Sequence, residues 1–114
     1  MKADKRTFSE KRLQKKQARF ARMVALLLLY AFEQDYEVTL GDAYVSPEMA
    51  KCEANPHKKG SFHEKRLAID LNLFMHGEYL KTTGDHLELG RFWENLGGTW
   101  GGRWDDGNHY SLGE

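Results

Sequence analysis

Leu67-Ala-Ile-Asp-Leu-Asn-Leu-Phe74 is the stretch on which the fold turns. Leu67, Ile69, Leu71 and Leu73 fall on one side of an extended chain, and Ala68, Asp70, Asn72 and Phe74 on the other. A period of two marks a strand with one face in the core, and it places Asp70 on the polar face. An acid at the centre of so regular a strand is costly unless it is paired or holds a cation. Fold and candidate chemistry therefore meet in one octapeptide.

Outward from this strand, His76-Gly77-Glu78 reads as a hairpin turn leading into Tyr79-Leu80. A helix follows from about Asp85 to Leu96, stopped by Gly97-Gly98. The tail from Thr99 sets aromatic residues between glycines and ends in His109-Tyr-Ser-Leu112, a last strand. Upstream, residues 53–60 form a loop by their turn chemistry, and Pro47 after Ser46 starts a brief helix around Glu48–Cys52. Val38-Thr-Leu40 reads as a short strand, broken at Gly41-Asp42 and resumed at Ala43-Tyr-Val45. The N-terminal helix spans about residues 9–34, with Ser9 as its N-cap. Leu13, Phe20, Met23, Val24, Leu27 and Leu28 build its apolar stripe. Strands separated by helices without a repeating parallel unit predict an α+β fold, an antiparallel sheet backed by packed helices.

At 114 residues the chain is expected to form a single domain, residues 1–114, with one core. Seventeen basic residues balance seventeen acidic ones, so net charge argues for neither nucleic acid nor a polyanionic substrate, and no nucleic-acid partner is expected. The balance hides an asymmetry: positions 1–22 hold nine Lys or Arg and two acids. A basic helix there can lean on anionic lipid or wall polymer, or simply form a solvated face. The lone Cys52 excludes an internal disulfide and reads as a small buried hydrophobe. Met23–Phe32 follows a basic stretch as a signal peptide's apolar core does, but it is about half the length a bilayer span requires. No small-residue cleavage site follows, so it reads as a buried helix and no stable membrane insertion is expected.

Two further residues bring metal chemistry into view. His63 lies seven residues before Asp70, and His109 opens the last strand, with Asp106 three residues earlier across a Gly107-Asn108 turn. Two imidazoles and a carboxylate are a familiar zinc set that leaves the fourth tetrahedral position open. A nearby unligated carboxylate can move the proton of an attacking water. On spacing alone, solvated or structural histidines account for the same residues. His76 and His86, in a turn and at a helix start, read as solvated, and His57 as part of a surface loop. Trp93 and Phe92 read as packing the second helix into the core, while Trp100 and Trp104 either wall a cleft or pack.

Ser61-Phe-His63-Glu-Lys-Arg-Leu-Ala68-Ile-Asp70 resembles the S-x-H-x-x-x-x-A-x-D signature of the D-Ala-D-Ala carboxypeptidase and phage L-alanyl-D-glutamate endopeptidase family. Gly97-Gly-Thr-Trp-Gly-Gly-Arg-Trp104 followed by Asp106-Gly-Asn-His109 is similar to that family's second block. The two metal-site blocks, 61–70 and 97–112, agree with it in order and gap, and the resemblance covers roughly residues 37–112. It implies His63, Asp70 and His109 as ligands of one catalytic Zn2+, Asp106 as general base and acid, and Ser61 as a substrate contact. One departure stands out. Val45 occupies a place where the family commonly carries an arginine that steadies the oxyanion; either Arg66 or Arg103 substitutes, the chain is a variant of the family pattern, or the domain is a weak catalyst.

The resemblance implies a zinc peptidase of peptidoglycan peptide stems, an L-Ala–D-Glu endopeptidase of a phage lysis system. The alternatives are removal of terminal D-Ala, a catalytically weak wall-binding module that keeps zinc for structure, and a membrane-tethered lysis factor using Met23–Phe32. The protein is expected to be a monomer, made in the host cytoplasm without a cleavable signal and acting on the wall after release.

Overall fold

The alternating octapeptide becomes the central strand of an antiparallel sheet. In the computed structural model, which describes residues 3–43 and 65–113, strand β2 runs Ala68–Met75. Strand β1, Glu37–Leu40, pairs along one edge, with Val38 opposite Leu73 and Leu40 opposite Leu71. The other edge is shared. β3, Glu78–Leu80, takes the end near Met75, and β5, His109–Ser111, takes the end near Ala68. The short β4, Thr99–Trp100, adds outside β5. The order is β1-β2-β5-β4, with β3 also on β2.

His76 and Gly77 both have positive φ, 51° and 81°, so a two-residue turn joins β2 to β3 with the twist such hairpins favour. Thr99–Trp100 was not foreseen as a strand, because two residues between glycines carry no period. Ala43 is a bend, not a resumed strand, although Gly41 and Asp42 continue the ladder. The Gly41 N–H donates to the Asp70 carbonyl at 2.7 Å, and the Asp70 N–H donates to the Asp42 carbonyl at 2.8 Å. The expected strand residues Tyr44 and Val45, the brief helix at Glu48–Cys52, and His57 lie outside the described residues.

Helix α1 runs Phe8–Glu33. Its cap is Thr7 rather than Ser9: the Thr7 side chain accepts from the Glu10 N–H while the Glu10 carboxylate accepts from the Thr7 N–H. This reciprocal capping box satisfies two otherwise orphaned donors. The second helix begins as a 3₁₀ turn, Gly84–His86, and continues as α2, Leu87–Asn95. Gly97, at φ 99°, lies just beyond it.

The core lies between one sheet face and the two helices. Phe20, Met23, Leu27 and Ala31 of α1 meet Leu89 and Trp93 of α2 and Ile69, Leu71, Leu73 and Tyr110 of the sheet. Phe92 stacks on Tyr30 with centroids 4.2 Å apart, tying the helices together. Two expectations about α1 need correction. Leu13 is exposed, and the run Met23–Phe32 is buried on one side only, with Leu26, Leu29 and Phe32 in solvent. Among the described residues no helix is long and apolar enough to cross a membrane.

Candidate metal centre

Since Ile69, Leu71 and Tyr110 face the core, the residues alternating with them face away from it. Asp70 of β2 stands directly opposite His109 of β5, and opposed residues in an antiparallel pair share a face. Asp70 Oδ1 and His109 Nδ1 are 3.4 Å apart, with side chains only 17% and 14% exposed. That separation is long for a direct N–H···O hydrogen bond. It matches two corners of a zinc tetrahedron, whose ligand atoms, each about 2.1 Å from the ion, stand about 3.4 Å apart. A carboxylate oxygen and an imidazole nitrogen are also the donor types that ion accepts. By distance and by chemistry the pair fits two ligands of one divalent cation.

The structure therefore brings together Asp70 and His109, which lie 39 positions apart in the sequence. Among the described residues no group of three His, Cys, Asp or Glu gathers, and the third expected ligand, His63, lies outside the described residues, as does Ser61. Asp106 is exposed and stands in the turn that delivers His109. Its N–H donates to the Gly101 carbonyl at 2.9 Å, and its carbonyl accepts from the His109 N–H at 3.1 Å. Backbone bonds thus hold Asp106 to the same turn as His109.

Glycine makes that turn possible. A Cβ on Gly101 would collide with the Asp106 carbonyl oxygen and stand 3.0 Å from the His109 Cβ. The chain passes closest to the candidate ligand where the side chain is absent. On the other side of the pair, a Cβ on Gly41 would stand 3.1 Å from the Asp70 Cβ. The two indoles nearby behave differently. Trp100 is core, its Nε1 donating to the Gly107 carbonyl at 2.7 Å, whereas Trp104 is 54% exposed.

Behind the pair lies a buried polar contact that the sequence reading placed in solvent. His86 is 3% exposed, and its Nδ1 stands 2.8 Å from Tyr110 Oη. Burial lowers the imidazole's pKa from 6.5 to about 4, against a weaker opposing pull from Asp85. Burial likewise raises the Tyr110 phenol above its ordinary range. The signal was available in part: a tyrosine alternating with His109 must face the core, where its hydroxyl needs a partner. Which of five histidines supplies it is not written in any spacing. Of the two arginines offered in place of Val45, Arg103 pairs with Glu94 at 3.4 Å on the surface. Arg66 lies in a turn at φ 58°.

A family model described as D-alanyl-D-alanine carboxypeptidase matches residues 54–112, just over half of the chain. The match contains Asp70, Asp106 and His109 together with the segment that carries Ser61 and His63. Comparison with curated proteins returns no match.

Proposed function

Because the chain belongs to the D-alanyl-D-alanine carboxypeptidase family, we propose that it is a zinc-dependent peptidase that cuts the L-Ala–D-Glu bond in bacterial cell-wall peptide stems. Membership in the family makes it a metallopeptidase directed at peptidoglycan. The observation that carries the reading to particular residues is the Asp70–His109 juxtaposition at 3.4 Å, inside the matched segment.

In this reading His63, Asp70 and His109 hold the ion. When bound, zinc supplies Lewis acidity toward a carbonyl and lowers the pKa of water towards about 7. The β2–β5 ladder holds the backbones of Asp70 and His109 opposite each other, so both side chains start from one sheet face. Asp106 takes the proton of the attacking water and passes it to the leaving amine. Its exposure suits a group that must meet both, while its backbone bonds keep it beside His109. Ser61 contacts the stem peptide. The site lies on the sheet face away from the helices.

The description of the matched family favours a second reading, removal of terminal D-Ala. Digestion of purified peptidoglycan, with and without a chelator, separates the two. Endopeptidase action releases new amino termini on D-Glu, whereas carboxypeptidase action releases free D-Ala, and the chelator abolishes either. Turnover indifferent to metal removal would overturn the zinc assignment. Full zinc occupancy with no new ends would point instead to a wall-binding module, the outcome that Val45 in place of arginine raises.

A further inference from the structure

Helix α1 lies outside the segment matched to the family, and its outward face is not used by the proposed chemistry. Opposite the buried line Phe20, Met23, Leu27 and Ala31, helical geometry at 100° per residue places Lys11, Lys15, Arg22, Leu26 and Leu29 along one ridge. Phe32 flanks its C-terminal end. Leu26 is 42% exposed, Leu29 58% and Phe32 53%. We propose that this ridge docks the protein on an anionic lipid surface, the basic half engaging headgroup phosphates and Leu26, Leu29 and Phe32 entering the headgroup–acyl boundary.

The charge pattern selects this occupant. Residues 1–22 carry nine Lys or Arg and two acids; one of those acids, Asp4, is held by Arg6 at 2.8 Å and stands 3.8 Å from Lys11, so the cations still outnumber the acids along the helix. Membrane-surface binding draws on two terms together, basic side chains attracted to anionic headgroups and apolar side chains entering the headgroup–acyl boundary. A soluble polyanion would satisfy the lysines and arginine but gives no role to three exposed large apolar side chains. Insertion is not required, and no described helix could span a bilayer. The proposal is independent of which stem-peptide bond is cut.

Vesicle co-sedimentation of the full chain tests it. Binding is expected to vesicles of phosphatidylcholine with phosphatidylglycerol, to be lost on pure phosphatidylcholine, and to weaken as salt rises. The triple substitution K11Q/K15Q/R22Q should weaken binding about a hundredfold. L26S/L29S should weaken it about tenfold or more, with far-ultraviolet circular dichroism unchanged in both variants. Failure to bind the anionic vesicles would overturn the proposal. So would vesicle binding that ignores L26S/L29S, since the ridge would then recognise only negative charge. A concentration-dependent dimer abolished by L26S/L29S, without lipid binding, would assign the face to a second copy instead.

Discussion

At the scale of single residues, the proposed roles divide cleanly between holding an ion and moving a proton. His109→Ala removes a donor that stands 3.4 Å from Asp70 and should lose bound zinc and turnover together. Asp106→Ala should retain zinc, measured by elemental analysis of the purified protein, while hydrolysis falls by about 10²–10⁴-fold, the usual worth of a positioned acid–base group. Equal metal loss in the two variants would make Asp106 a ligand. Gly101→Ala drives a methyl into the Asp106 carbonyl and toward His109. It should cost about 1–3 kcal/mol in urea unfolding and reduce zinc occupancy as well. Asp70 was legible because the alternation sets an acid at the centre of the strand's polar face, where it needs a partner. His86 was not, because its burial arises only when α2 and β5 close on each other.

The elements show the same division between local and distant causes. Strand β2 could be read outright, since its period repeats over eight residues and each leucine ends in the core. The hairpin after it was legible from a glycine in a tight turn, which the positive φ of His76 and Gly77 bears out. The start of α1 was misassigned because Ser9 is a good cap in isolation. Thr7 wins by having Glu10 three residues later, a pairing that satisfies donors at both ends of the turn. Thr7→Ala should therefore destabilise the protein by about 1 kcal/mol, read as a lower denaturation midpoint, whereas Ser9→Ala should change little. β4 escaped notice for another reason: two residues acquire strand geometry only from the partner they pair with.

For the molecule as a whole, the buried His86–Tyr110 contact predicts how stability responds to acid. His86 stays neutral in the fold down to about pH 4, while in the unfolded chain it gains a proton near pH 6.5. Between these values the unfolded state binds more protons. Stability is thus fully present above pH 6.5, falls as the pH drops towards 4, and is levelled below that, by about 3 kcal/mol in all. Urea unfolding from pH 7 to 4 should show this slope, and His86→Gln should flatten it; an unchanged slope would remove His86 as its source. The sheet register carries a different kind of consequence. Asp70 and His109 oppose each other across one rung of the β2–β5 ladder, so sliding β5 by a single position would turn an imidazole into the oily interior and a phenol out to water. A change that shifts the β2–β5 pairing by one rung therefore separates the two side chains, whereas one that only extends β5 past Ser111 leaves them facing each other.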